Sequence, residues 1–235
     1  MSTAERSTPP RAPSRPPVDE DDLSTVPDHL IVALTVTDPD IVRDLKAERE
    51  ASPLAWRDEV WDGVYVMSPE ADIEHQFFGF DLMVALAEAV KLGGGGRVSP
   101  PVNISDRIEE WLSNFRIPDI VVFLPGNPAI MRKAHIRGGP DFAIEILSRG
   151  DLARQKLDFY AGVNTKEVLL IDRYPWALEL YRWSEGRLAL VGTSHPGQPE
   201  VLSSSTLSLT FRLMPGEDRP ILEVAQANGD RVWLI

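Results

Sequence analysis

The chain of 235 residues contains no cysteine. That excludes a disulfide scaffold, zinc–thiolate and iron–sulfur centres, and a cysteine nucleophile. No apolar run is long enough to cross a bilayer, and no membrane partner is expected. The opening stretch, MSTAERSTPPRAPSRPP, lacks the apolar core of a secretory signal, so the expected location is the cytoplasm. Positive charge is scarce too. The 24 Lys and Arg face 36 Asp and Glu, for a net charge of −12. This argues against a protein that coats nucleic acid by charge alone. It leaves room for an enzyme with a local basic strip and an acidic, metal-binding centre. The four histidines, at 29, 75, 135 and 195, show no metal-ligand spacing. Gly93 to Gly96 lacks the preceding strand and the following Lys-Ser/Thr of a phosphate loop.

With 43% hydrophobic and 26% charged residues, the chain has the makings of a core of ordinary size. Residues 1–28 are rich in Pro, Ser, Arg and Asp, with an acidic run from Asp19 to Asp22. They read as a disordered tail, and residues 29–235 as a single domain. The tail carries −3, so −9 remains on the folded part and the acidity belongs to the domain itself.

Along the domain, Asp38-Pro39 marks a helix start with Pro at the first helical position. EVWDGVYVM at 59–67 is a hairpin about Asp62-Gly63. From Asp72 to about Leu92, apolar residues at 73, 77, 80, 84 and 87, with 83 and 90 alongside, have helical spacing, which predicts a long helix with one buried face. Strands are expected over 97–104, 116–124, 140–148, 166–172, 176–183, 187–191, 207–213 and 232–235, with a helix at about 151–161. This order predicts an α/β or α+β fold around a mixed sheet.

Two carboxylates stand out. Asp119 follows Pro118 at the head of a Val/Ile run, and Glu145 lies between Ile144 and Ile146 inside an apolar strand. A carboxylate there is costly unless it is paired, hydrogen-bonded or bound to a cation. On neighbouring strands, the two can share one hard divalent ion through oxygen ligands about 3–6 Å apart; the alternative is a structural pairing with Arg or a helix cap. The residue two past Glu145 on the same strand face is Leu147, so the strand offers no cation. Lys156, eleven residues on, sits on the next helix with Tyr160 one turn further. It either reaches the site or is an ordinary surface lysine. Asp141 reads as a brace. Trp111, Trp176 and Trp183 are candidates for base stacking or, more commonly, packing.

Here the chain resembles a known family. Pro118-Asp119, Glu145-Ile146-Leu147-Ser148, Lys156 with Tyr160, Gly162-Val163 and Asp172 follow the pattern of the Uma-two restriction endonucleases, within the PD-(D/E)XK nuclease superfamily. Upstream, Glu59 to Gly63 and His75-Gln76 match the family's hairpin and helix start. The likeness spans about Glu59 to Trp183. SRGDLARQK departs from the family's usual loop before the lysine, with Arg154 or Gln155 as the fallback. The resemblance implies a restriction-endonuclease-like core, a mixed β-sheet flanked by helices with extra C-terminal β-hairpins. It implies a Mg²⁺-dependent DNA endonuclease, Mn²⁺ substituting, with Asp119, Glu145 and the carbonyl of Ile146 as metal ligands. Lys156 would orient water or stabilise charge. Glu59 is a further ligand or an exposed hairpin residue, and His75 a phosphate contact or a structural residue. DNA would lie against Arg107, Arg116, Arg132, Lys133, Arg137, Arg149 and Arg154. A homodimer through the C-terminal hairpins would cut both strands. The competing readings are a non-catalytic binding or assembly module on a nuclease scaffold and, with only the two acids behind it, a glycosidase.

Overall fold

The computed structural model describes residues 33–51, 57–68 and 72–235; the tail expected at 1–28 lies outside the described residues. It contains three α-helices, α1 (Pro39–Ala51), α2 (Ile73–Leu92) and α3 (Leu157–Gly162). Among the described residues no helix is long and apolar enough to cross a membrane. The central sheet has six strands in the order Arg187–Ser194, Trp176–Ser184, Glu167–Arg173, Phe142–Leu147, Ile120–Phe123 and Arg97–Ser99. The 142–147 and 167–173 strands are parallel; the remaining neighbours are antiparallel. Parallel neighbours need a crossover, and the 3₁₀ turn Ala153–Lys156 running into α3 supplies it. All six residues of the 142–147 strand are buried, as an apolar run in a doubly covered strand requires.

Local chemistry sets the boundaries. Asp38 Oδ1 accepts the N–H groups of Asp40 and Ile41, capping α1. The hairpin at Asp62-Gly63 has φ of 46° and 89°, and the one at Glu185-Gly186 has 53° and 85°. Both are turns with two left-handed residues, which match the twist of the flanking strands.

One sheet face is covered by α2 and by a four-stranded C-terminal sheet. The latter comprises Leu202–Ser203, Leu209–Met214, Ile221–Gln226 and Val232–Leu234, of which 221–226 was not expected. Phe78, Leu82, Ile144, Phe211 and Val224 share that core. The opposite face carries α3, with Tyr160, Ala161 and Val163 packed on Ala143, Leu147 and Val168. A third sheet, built on the Glu59–Trp61 and Val64–Met67 hairpin, lies beside Phe115–Arg116.

The expected face of α2 is largely reversed, although Val90 is buried and Met83 half-buried as expected. His75, Phe78, Leu82, Ala85, Leu86, Ala89 and Val90 are buried. Ile73, Phe77, Phe80 and Val84, expected inside, are 74%, 68%, 58% and 51% exposed. The helix is apolar on both sides, and helical periodicity alone cannot choose between two apolar stripes.

Glu167, fully buried at the start of its strand, ties the sheet to the C-terminal region. It accepts from Arg182 Nε at 2.7 Å, from the hydroxyls of Ser204 and Ser205, and from the N–H groups of Ser205 and Thr206. Burial alone would raise its carboxyl; Ser204, Arg182 and Thr206 together hold it below the ordinary range. Glu167→Ala should destabilise the fold by roughly 2–3 kcal/mol in urea unfolding, the cost of breaking a buried pair discounted for the partly exposed Arg182. A depressed carboxylate adds stability above its unfolded value, and that stability is lost as pH falls through the folded value. The difference between wild type and variant should therefore shrink below about pH 4.5.

Candidate active site

The register of the sheet brings the two singled-out acids together. Ile144 pairs with Ile120; Glu145 follows Ile144 and Asp119 immediately precedes Ile120, at the adjoining end of its strand. Asp119 Oδ2 accepts Ile146 N–H at 2.7 Å, which fixes the carboxylate against the strand end. Both acids line a cavity of about 40 Å³ with His75, Ser148, Asp151 and Lys156. Glu145 is 4% exposed and Asp119's side chain 20%, so the pair grades from core to opening.

Lys156 is no surface residue. Its side chain is 7% exposed, and its ammonium lies 3.0 Å from Glu145 Oε2 and 2.9 Å from Glu59 Oε1. Tyr160 OH donates a short hydrogen bond to Glu145 Oε1. Residues 156 and 160 stand one turn apart on the crossover, so both reach the strand from the same side. Glu59 is buried rather than exposed on its hairpin. Its Oε1 also accepts Ile117 N–H at 2.7 Å, and its Oε2 accepts Trp61 Nε1 at 2.6 Å. Hairpin, central sheet and crossover thus meet at one ammonium.

His75 enters from α2. Asp72 caps the helix by accepting His75 N–H at 2.7 Å, and Arg173 holds Asp72 and Glu74. The ring Nε2 lies 2.9 Å from Ile146 O and 3.7 Å from Asp119 Oδ2. A carbonyl only accepts, so Nε2 carries the proton. The Ile146 carbonyl, expected as a metal ligand, therefore already has a donor.

The electrostatics are lopsided. Burial, opposed by Lys156 and reinforced by Glu59 and Asp119, pushes the Glu145 carboxyl up to about 8. Burial raises Asp151 as well. Burial would depress Lys156, but Glu145, Glu59 and Asp151 outweigh it and keep the ammonium charged. Burial of Asp119 is outweighed by His75 and Ile146 N–H, which hold it below the ordinary range. Burial lowers His75, whereas Asp119 and the Ile146 carbonyl raise it on balance. Four acids, Glu59, Asp119, Glu145 and Asp151, gather about one lysine and one histidine.

Asp151 escaped the sequence reading. Its Oδ1 accepts Ala153 N–H at 2.7 Å, capping the turn that carries Lys156. The signal was an Asp just ahead of a helical turn, a common cap. Arg57, just before the Glu59 hairpin, also lines the cavity. Several expected DNA contacts are spent elsewhere. Arg116 is 5% exposed, sandwiched 4.6 and 4.3 Å from the Trp61 and Phe159 rings. Arg154, the fallback for Lys156, pairs with Asp172 and Glu179, and Arg107 with Asp106. Trp111 stacks on His135 and Trp176 packs edge-on to Phe78, so neither is free for bases. Asp141 braces a loop, accepting Leu124 N–H and Asn127 Nδ2.

A mixed sheet flanked by helices, with a helical crossover between its two parallel strands, is the architecture of a restriction-endonuclease-like fold. The chain belongs to the Uma2 family, described as "Putative restriction endonuclease", whose model matches residues 43–214. A similar solved structure is "a putative nuclease belonging to DUF820" from Anabaena variabilis ATCC 29413, at TM-score 0.51 and 17% identity. The match covers 64% of this chain and 82% of that one, and at this identity it speaks for the fold. No curated protein matches the chain.

Lys156 is buried between two carboxylates, so its removal bears on the fold as well as on the site. Lys156→Met should destabilise by roughly 3–5 kcal/mol, because two buried carboxylates lose their shared partner. Glu59→Gln should relieve part of that loss. Urea unfolding of both single variants and the double variant should give a coupling above about 1 kcal/mol.

Proposed function

We propose that the chain is a divalent-metal-dependent endonuclease that hydrolyses phosphodiester bonds in DNA. The observation that carries this reading is that Asp119 and Glu145 line one cavity whose wall holds the fixed ammonium of Lys156. The donors suit a hard cation of the Mg²⁺ or Mn²⁺ kind. They are carboxylate oxygens in a site with more acids than bases, and Mg²⁺ commonly takes only one or two carboxylates and keeps its waters. Among the described residues no group of three or more His, Asp or Glu forms a ready-made cage, which fits an ion of that hydrated type better than zinc. Asp119 and Glu145 would hold it, with Ile146 O in reach. A cation there lowers the pKa of a bound water and neutralises phosphoryl charge.

The remaining roles follow from contacts. Lys156 presents a preorganised donor to charge developing on the phosphate, in a site that needs no rearrangement to supply it. Glu59 positions Lys156, itself tied down by Ile117 N–H and Trp61. Tyr160 keeps its proton, since burial and then the Glu145 and Glu59 charges raise its pKa, and it orients Glu145 by donation. His75 steadies the strand end that carries Asp119 and Glu145.

A second reading, a non-catalytic module, draws on the double pairing of Lys156, which is also what a structural strut would show. One pair of measurements separates them. With Mn²⁺ at about 100 times its Kd, binding adds about 2.7 kcal/mol, a rise in Tm of roughly 5–10 °C for a chain of this size. Asp119→Asn should abolish both this rise and DNA cleavage. Lys156→Arg should keep the rise and lose cleavage by a factor of about 100 or more. A wild-type protein with neither metal response nor cleavage is a binding module.

A further inference from the structure

The exposed stripe of α2 calls for a partner. Ile73, Phe77, Phe80 and Val84 lie at spacings of four, three and four residues, the seam pattern of paired helices. Solvated helices seldom show two phenylalanines and two aliphatics in one row. We propose that this stripe pairs antiparallel with the same stripe of a second copy of this chain. The spacing reads the same in both directions. A two-fold axis between Phe77 and Phe80 therefore sets each phenylalanine against the other's counterpart and Ile73 against Val84. Opposed helix dipoles favour that sense over the parallel one.

The area is sufficient for a modest dimer. At 68% and 58% exposure, aromatic side chains of roughly 150–250 Å² leave roughly 200–300 Å² of aromatic surface per copy. Ile73, Val84 and the flanking side chains of Gln76 and Met83 add to it. Doubled over two copies, the total approaches the roughly 1,000 Å² at which specific interfaces begin. Of the acids beside the stripe, Asp81 is exposed at its flank, one position past Phe80, and the other two are paired. Glu74 is held by Arg173 at 2.5 Å, and Glu88 by Arg231 at 2.6 Å and by Trp233 Nε1 at 2.9 Å. The stripe also borders the functional region. Phe80 lines a cleft of about 230 Å³ that contains His75 and Asp119 and runs along α2 past Gly79 and Met83. A partner helix on the stripe forms part of the rim of that cleft. The proposal puts self-association on α2 rather than on the C-terminal hairpins; one face of the C-terminal sheet packs into the core of its own chain.

The test needs no nuclease activity, so it stands or falls apart from the functional reading. Sedimentation velocity of the full chain over about 1–100 µM should show a dimer with Kd in the micromolar range. Phe77→Glu with Phe80→Glu should weaken it at least about 100-fold, with circular dichroism unchanged because both positions are exposed. Because the chain has no cysteine, the direction can be read by oxidation. An equimolar mixture of Ile73→Cys and Val84→Cys chains should cross-link. Ile73→Cys alone should not, since its two copies would lie about 16 Å apart at 1.5 Å rise per residue. A wild-type monomer at about 100 µM, a dimer indifferent to the glutamates, or Ile73→Cys chains that cross-link on their own would each overturn the proposal.

Discussion

The ammonium of Lys156 is the point on which the arrangement turns. It stands between Glu145 of the central sheet and Glu59 of the hairpin, and it reaches them from the crossover. Those three segments are remote in sequence, and apolar packing alone would not fix their relative depth to within a hydrogen bond. Burying Lys156 with Glu59 costs several kcal/mol per ion before pairing, and well-packed apolar side chains would often be as stable. The chain accepts this cost and surrounds the charges with further donors: Tyr160 on Glu145, Ile117 N–H and Trp61 on Glu59.

From that point the two faces of the sheet take different tasks. The α3 face delivers Lys156 and Tyr160 to Glu145. The α2 face delivers His75 to the same strand end from the other side, so Ile146 N–H serves Asp119 while Ile146 O meets His75. One residue, Ile146, thereby meets both. The cap of α2 extends the chain of contacts to Arg173, at the end of the neighbouring parallel strand, through Asp72. A shift of α2 would be felt at Asp119 through these contacts, which gives the exposed side of that helix a physical route to the site.

Much of this was legible in the sequence, for identifiable reasons. Asp62-Gly63 and Glu185-Gly186 marked both hairpins because few residue pairs tolerate two positive φ angles in succession. Glu145 stood out because a lone acid in FAIEIL has no cheap explanation. Burial of Lys156 and Glu59 was not legible. Each partner is ordinary on its own, and only the crossover geometry shows that they meet. The face of α2 was misread for a different reason: alternating apolar stripes carry no mark of which one the sheet covers. Arg116 was taken for a phosphate contact because sequence cannot distinguish an exposed guanidinium from one stacked between Trp61 and Phe159.

The comparison of two buried glutamates says the most about what the cluster is for. Glu167 and Glu145 lie on neighbouring parallel strands, and both are nearly or wholly removed from water. Around Glu167 every demand is met: one arginine, two hydroxyls and two N–H groups bring its carboxyl below the ordinary range despite burial. Glu145 has a lysine and a tyrosine, yet burial and the acids Glu59 and Asp119 bring it to about 8. The fold can therefore satisfy a buried glutamate completely, and at Glu145 it does not. An unmet charge demand kept beside a cavity, one strand away from a fully satisfied counterpart, supports the proposed reading of Glu145 as a cation ligand. Positive charge supplied from the cavity would answer it, which is the role the proposed cation fills.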